Sequence, residues 1–458
     1  MGAVRRKGWE WQVVAWLARH PGLLLGPGVV GAGAWWVGVR AVGLVCGGLL
    51  LGLLGWYRGH PASFDRWASP RLRAWRRRWF SLYTGPRWRN TLAACDLAVE
   101  QRGTDELAYP RLLRVSSPSP SVDVLRVRLQ PGQALRTWEQ KLPELTETLR
   151  AERVALERVK PGVLGLIVQR SEPFTESIEP PPMPWEVGAV NPRRVWCGVD
   201  EYGNDWYEPI PGNNILVAGA TGTGKATMMH GPVYQLAPLV KAGLVRLWDI
   251  DPKRLELSTT QAISYRYACE PTGMEEVLAE YLDNLEKSQR KLSAFGWRKA
   301  PVSPDFPLDI LRVDELAAVL GYGENLKTWK RSLGIITTQG RTTNQVVWAA
   351  VQEPTKEIVP VRECFPRRLC LRTTSASHVD MMLGEDARLQ GALADEIPDV
   401  PESAGIGYIV QRWPRRVVRV RTGHYTDTHL RQLVAFITDT HPGAVQLGTT
   451  DPLPIITP

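Results

Sequence analysis

The sequence predicts an α/β chain: a parallel-sheet phosphate-binding domain, preceded by a two-span transmembrane hairpin and a small α+β domain. Three observations predict it. The apolar run ILVA at 215–218 leads directly into GATGTGKAT at 219–227. A second apolar run ends in the acidic pair Asp314 and Glu315, and residues 21–57 contain a single charged side chain, Arg40.

At 458 residues the chain exceeds one ordinary core; roughly 100–200 residues per domain gives two or three units. The net charge of +9 invites a nucleic-acid reading, but its distribution redirects that inference. Residues 1–90 carry 14 Lys and Arg against Glu10 and Asp65, a net of +12, which leaves −3 for the remainder. The basicity belongs to the N-terminus. Cys46, Cys95, Cys197, Cys269, Cys364 and Cys370 form no C-x-x-C pair, and no histidine pair stands beside them at metal-ligand spacing. A reduced, cytosolic environment for most of the chain follows.

A membrane span needs about 20 apolar residues, so residues 21–57 suffice for two, at about 21–38 and 41–57, with a reversal near 38–40. Arginines and Lys7 lie before the stretch, and Arg58, Arg66, Arg71, Arg73 and Arg76-Arg77-Arg78 follow it. The positive-inside rule then puts both ends in the cytoplasm. A cleaved signal peptide fits poorly, because arginines rather than small residues follow the apolar run; a buried soluble hairpin is the competing reading. The basic, tryptophan-bearing segment 71–89 suits an amphipathic stretch on anionic membrane lipid, with a nucleic-acid patch as its alternative. The expected domains are an anchor at 1–90, an adaptor at 91–171, a linker at 172–192, a motor at 193–430 and a tail at 431–458.

In the adaptor, residues 122–129 and 163–169 carry strand patterns. Residues 134–152 carry leucines at helical spacing, with Pro143 expected to kink or restart the helix. No catalytic spacing occurs there. The Pro-rich stretch 172–192 predicts an extended linker.

In the motor, strand, glycine loop and helix in succession form a phosphate-binding context. Gly219, Ala220, Thr221, Gly222, Thr223 and Gly224 offer backbone amides to phosphate oxygens, Lys225 adds a point charge, and the helix that includes Ala226 and Thr227 adds its dipole. Asp314 and Glu315 lie 89 and 90 residues beyond Lys225. Asp314 suits the water shell of magnesium and Glu315 suits orientation and deprotonation of an attacking water; capping of the helix that follows is the plainer alternative. A third strand, 346–351, ends at Gln352, a candidate sensor of the γ-phosphate at the carboxyl edge of the sheet.

These segments resemble the FtsK/SpoIIIE-like DNA-pumping ATPases, most closely actinobacterial versions carried by integrating conjugative elements. The resemblance rests on ILVAGATGTGK (215–225), LWDIDPKRLEL (247–257), ILRVDELAAVL (310–320), GRTTNQVVWAAVQEP (340–354) and VDMMLGEDARLQGALADEIP (379–398), and covers about 194–425. It implies a RecA-like P-loop ATPase that uses ATP and Mg2+ and acts as a homo-hexameric ring on double-stranded DNA. The motor would be cytoplasmic under a multi-pass anchor in the cell membrane, in contact with membrane lipid and with other transfer proteins. It also implies Gln352 as sensor and Arg368 as an arginine completing a neighbour's site in trans, with Arg341 and Arg372 as weaker candidates. Lys327, Lys330 and Arg331 are candidates for a DNA-facing lining.

Two features depart from the pattern. Ala226 lacks the hydroxyl that usually coordinates magnesium, and Thr227 is displaced by about 100° around the helix, so either Thr227 is recruited or Asp314 and water serve the ion. The 33 residues after Tyr425 are too few for a winged-helix loading module. A DNA translocase for conjugative transfer is the favoured function. Chromosome segregation, a type VII-like secretion ATPase and a non-hydrolysing nucleotide-binding membrane scaffold are the alternatives.

Overall fold

The computed structural model describes residues 39–100, 106–322, 326–354, 362–412 and 415–438. The chain forms two compact units, Met1–Arg73 and Ala74–Pro458.

In the first unit, α1 (Val39–Gly59) is apolar, with a mean hydropathy of 1.8, and none of its residues is buried. Its 21 residues give a rod of about 30 Å, enough to cross a hydrocarbon core. It covers the expected span at 41–57; the expected span at 21–38 lies outside the described residues. Val39 and Arg40, expected in a reversal, belong to this helix, because nothing from 39 onward interrupts helical geometry. His60 and Pro61 then turn the chain into α2 (Pro61–Trp67), where Phe64 meets Trp56 and Tyr57 edge-on. The next helix, α3, runs Ser69–Phe80.

The expected anchor boundary at residue 90 falls inside α4 (Gly85–Ala94). Tyr83, Trp88 and Leu92 are buried together with Leu125, Trp138 and Leu166, and Trp88 Nε1 donates to the Pro110 carbonyl at 3.2 Å. Trp88 is therefore a core residue rather than part of a lipid-facing stripe. A short hairpin of β1 (Val99–Glu100) and β2 (Leu107–Ala108) follows. The adaptor sheet is antiparallel in the order β3 (Arg111–Ser116), β4 (Val122–Arg128), β6 (Val163–Gln169) and β5 (Arg153–Lys160). The expected strands at 122–129 and 163–169 are β4 and β6. The expected helix at 134–152 is two helices, α5 (Leu135–Glu139) and α6 (Leu142–Leu149), with Pro143 in the first turn of the second. Proline lacks the N–H a continuous helix needs but fits a first turn. Leu142, Leu145 and Leu149 then face the sheet, each burial contributing about 1.5–3 kcal/mol.

Asp123, fully buried, accepts from Tyr83 Oη at 2.9 Å and from Arg170 Nε at 2.7 Å, and Arg170 also donates to Tyr83. Tyr83→Phe removes one donor from this triad and lowers stability by about 1–2 kcal/mol, read as a shifted urea midpoint of tryptophan fluorescence; an unchanged midpoint would show the triad to be energetically neutral.

The linker is extended, as its prolines dictate, but it is packed. Phe174 and Met183 are buried on the two faces of the motor sheet, Ile178 bridges Gly423, and Gln235 donates to the Pro181 carbonyl. Adaptor and motor also share a buried joint. Arg153 pairs with Glu201 and donates to Gln169 and to the Gly391 carbonyl.

The motor is one ten-stranded sheet. Its strands in chain order are β7 (Val195–Asp200), β8 (Asp205–Glu208), β9 (Ile215–Ala218), β10 (Val245–Ile250), β11 (Arg266–Ala268), β12 (Leu308–Val313), β13 (Gln345–Val351), β14 (Arg367–Leu371), β15 (Ile406–Arg412) and β16 (Arg415–Thr422). The spatial order is β11-β10-β12-β13-β9-β14-β15-β16-β7-β8. From β11 to β14 the pairing is parallel, and beyond β14 it is antiparallel. Helices α7 (Lys225–Gln235), α8 (Ala237–Lys241), α9 (Pro271–Ala294), α10 (Leu316–Tyr322), α11 (Leu326–Gln339), α12 (Ala376–Leu383) and α13 (Asp427–Thr438) complete it. The expected tail from 431 begins inside α13, whose Leu433 is buried in the motor core.

Charge pattern sets the register of β10 on β12. Arg246 lies opposite Asp309, and Asp249 lies opposite Arg312. Each pair closes through two guanidinium N–H groups. A one-residue slip breaks both and sends every side chain to the other face.

Candidate functional site

The loop after β9 takes the conformation its glycines allow. A Cβ on Gly219 would stand 2.5 Å from Thr223 Oγ1 and 2.8 Å from Leu371 Cβ, so only glycine fits between β9 and β14. Gly224 has φ +85° and caps α7, a left-handed conformation that costs other residues. Thr223 Oγ1 bonds the Ala220 carbonyl at 2.8 Å, drawing the loop closed. Lys225 opens α7, and its ammonium bonds the carbonyls of Gly219 and Ala220 at 2.7 and 3.0 Å. The amine is thus held over the loop it serves. Burial depresses its pKa, which Glu315 partly restores.

Asp314 and Glu315 leave the carboxyl end of β12 and are each 5% exposed. Burial, then the neighbouring carboxylates Asp251 and Glu256, push the Asp314 pKa up to about 7. Glu315 accepts a hydrogen bond from Lys253 Nζ at 2.9 Å and one from the Gln352 backbone N–H at 3.3 Å. Gln352 thus meets Glu315 through its main chain, immediately after β13. One strand, β13, separates the loop strand β9 from the acid strand β12. Two strand spacings of about 4.8 Å put the carboxyl ends of β9 and β12 roughly 10 Å apart.

The match to known proteins agrees. Residues 173–351 match the FtsK/SpoIIIE family model. The chain carries an FtsK/SpoIIIE-family ATPase domain. The DNA translocase FtsK of Tropheryma whipplei (strain TW08/27) is 23% identical over 251 residues, covering 50% of this chain and 32% of that protein. The DNA translocase SpoIIIE of Bacillus subtilis (strain 168) is 22% identical over 182 residues, covering 35% and 23%. The chain thus spans about a third or less of these curated relatives. Among solved structures, the pCW3 conjugation coupling protein TcpA, a monomer form with ATPγS, superposes with a TM-score of 0.46 at 16% identity. That superposition covers 71% of this chain and 93% of that one. The cytoplasmic domain of the type VII secretion ATPase EccC of Thermomonospora curvata gives a TM-score of 0.42 at 18% identity, covering 57% and 33%.

The FtsK/SpoIIIE domain does not bring together every residue the sequence nominated. Thr227 turns its hydroxyl to the Gly224 carbonyl at 2.6 Å and to Thr422 Oγ1 at 2.8 Å. It is bound to β16, on the opposite side of the loop from the Asp314 edge, and no hydrogen bond joins it to Asp314 among the described residues. Arg368 lies near the amino end of β14, opposite Leu216, several residues short of the loop. Arg372, at the other end of that strand, donates to the Thr221 carbonyl at 3.3 Å and pairs with Asp399 at 2.7 Å. It therefore touches the loop of its own chain. Arg341 packs its aliphatic stem on Gly212, away from the loop.

Three residues, Lys253, Asp251 and Arg312, had no role assigned from the sequence. Lys253 reaches Glu315, and Asp251 accepts from the backbone N–H groups of Leu257 and Ser258, holding the turn that presents Lys253. The signal was DPK at 251–253, directly after β10. Arg312 is the second kind of omission. It is fully buried, pairs with Asp249 and donates to the Met229 carbonyl of α7 at 3.1 Å, tying the acid strand to the loop helix.

Proposed function

We propose that the chain is a membrane-anchored, ATP-driven translocase of double-stranded DNA, working as a homo-hexameric ring and serving conjugative transfer. The convergence of Lys225, Glu315 and Gln352 at the carboxyl ends of neighbouring strands carries the reading. The translocase names of the relatives support DNA as the substrate, and α1 supports an anchor.

In the proposed reaction, loop amides and Lys225 hold the β- and γ-phosphates. Water attacks the γ-phosphorus, the bond to the ADP oxygen breaks, and Glu315 takes the water's proton. Lys253 orients the Glu315 carboxylate, and Gln352 reports phosphate occupancy to β13. Arg368 is offered to the site of a neighbouring subunit. Exposed Lys327 and Arg331 on α11 are suited to DNA phosphates.

A magnesium ion fits the residues present. Asp314 is 5% exposed at the end of β12; burial first, then the carboxylates of Asp251 and Glu256, disfavour its charged form, and a divalent cation beside it would offset both. Asp314 would hold its water shell, and the ion would neutralise developing phosphate charge. Ala226 adds no ligand, and the Thr227 hydroxyl is already engaged. Ala226→Ser therefore lowers the Mg2+ concentration for half-maximal turnover by about tenfold, the equivalent of one contact to a charged group. Thr227→Val leaves that concentration unchanged. The reverse pattern would reinstate Thr227 as the ligand.

The function itself is tested with the full-length chain. ATP turnover rises on adding double-stranded DNA and drops to background in Lys225→Ala. A flat rate, indifferent to DNA and to Lys225→Ala, overturns the reading.

A further inference from the structure

Helix α3 packs the wrong way round for a helix in water. Its outward face is apolar: within the second unit, Trp75 is 54% and Phe80 65% exposed, and their rings meet edge-on at 5.6 Å. Arg76 is exposed beside them. Its inward face is basic. Arg77, two residues and about 200° beyond Trp75 on the helix, lies 3.7 Å from the Asp123 carboxylate, and Arg78 donates to the Tyr83 carbonyl at 2.9 Å. A helix facing water buries its aromatics and exposes its arginines.

Charge and chain length identify what covers the outward face. Between Asp65 and Asp96 the chain has eight arginines and no acidic residue, so the covering surface is anionic. Only residues 60–73 separate Ala74 from the end of α1, and that stretch, mostly helical at 1.5 Å per residue, spans about 20 Å. A bilayer interface meets both conditions, since aromatic rings settle at headgroup depth and arginines are drawn to anionic headgroups. DNA offers phosphates but no apolar layer for Trp75 and Phe80.

We propose that α3 is an interfacial helix, lying on anionic lipid with Trp75, Arg76 and Phe80 at headgroup depth while Arg77 and Arg78 hold the adaptor. The inference rests on the membrane-anchor reading and adds to it a second, lipid-dependent attachment. Lipid meets only the first half of the basic segment 71–89, because Trp88 lies in the core. The attachment runs inward through Asp123. That carboxylate also accepts from Tyr83 and Arg170, and Arg170 follows β6 directly, where the chain leads into the linker. Lipid contact on one side of α3 thus steadies the adaptor sheet on the other.

The test uses the full-length chain in nanodiscs of phosphatidylcholine, with or without phosphatidylglycerol. Photoreactive p-benzoylphenylalanine replaces Trp75, Phe80 or, as a control, Trp185; all three are exposed, so no variant enters the core. Lipid adducts, read by mass spectrometry, form at 75 and 80 and increase with phosphatidylglycerol, while position 185 stays at background. Arg76→Gln lowers the adduct at 75 in the anionic discs by about fivefold, the weight of one arginine at such a surface. Adducts at 75 and 80 no higher than at 185, or cross-links to a second copy or to added double-stranded DNA in place of lipid, overturn the proposal. So does a yield indifferent to phosphatidylglycerol. Failure of the anchor reading looks different: the same probe at Leu50 of α1 then gives no lipid adduct.

Discussion

Glu315→Gln retains ATP binding and loses ATP turnover by about 10²–10⁴-fold, the range a positioned general base contributes. The substitution keeps the shape and hydrogen-bonding reach that Lys253 and the Gln352 backbone N–H engage, and removes the capacity to accept the water's proton. Burial of the side chain, with 5% exposed, makes substitution by bulk solvent inefficient. Single-turnover and steady-state rates on the full-length protein check it, alongside calorimetric ATP binding. Turnover within a few-fold of the parent would reduce Glu315 to a helix cap, the plainer of its two sequence readings.

Arg312→Met lowers stability by about 3–5 kcal/mol, the cost of leaving a buried charge uncompensated. Asp249 is fully buried and receives both N–H groups of Arg312, so the change strands its carboxylate between β10 and β12. The Met229 carbonyl of α7 loses its donor as well. The double change Arg312→Met with Asp249→Leu restores most of the loss, since apolar replacement of a buried pair is often neutral or better. Urea unfolding of the two variants distinguishes this from a packing defect. Packing damage persists in the double variant, whereas charge burial does not.

Much of the site was legible in the sequence because its chemistry is local. GATGTGKAT specifies its own turn through glycines that only a tight loop requires, and the preceding apolar run is short enough to be a buried strand. Asp314-Glu315 after 307–313 reads the same way. The charge sequence itself encodes a register: VRLWDI beside LDILRV places arginine opposite aspartate twice. In the adaptor, residues 134–152 read as one helical stretch that Pro143 would kink or restart, and β5 at 153–160 is not anticipated. The leucine spacing runs continuously to Leu149, whereas the helix breaks at 140–141 and restarts with Pro143 in the first turn of α6.

By itself, the sequence determined the phosphate loop, the acidic strand end, an apolar span at about 41–57 and the N-terminal excess of positive charge. Each is a short-range pattern whose physical meaning needs no distant partner. Tertiary structure decided what depends on partners far along the chain. Thr227 was an open candidate for magnesium until Thr422, 195 residues away, claimed its hydroxyl. Trp88 passed from lipid to core because Pro110 accepts its N–H. The proline-rich stretch is extended, as proline demands, yet it is packed on the motor, because Arg421 supplies buried donors to its carbonyls.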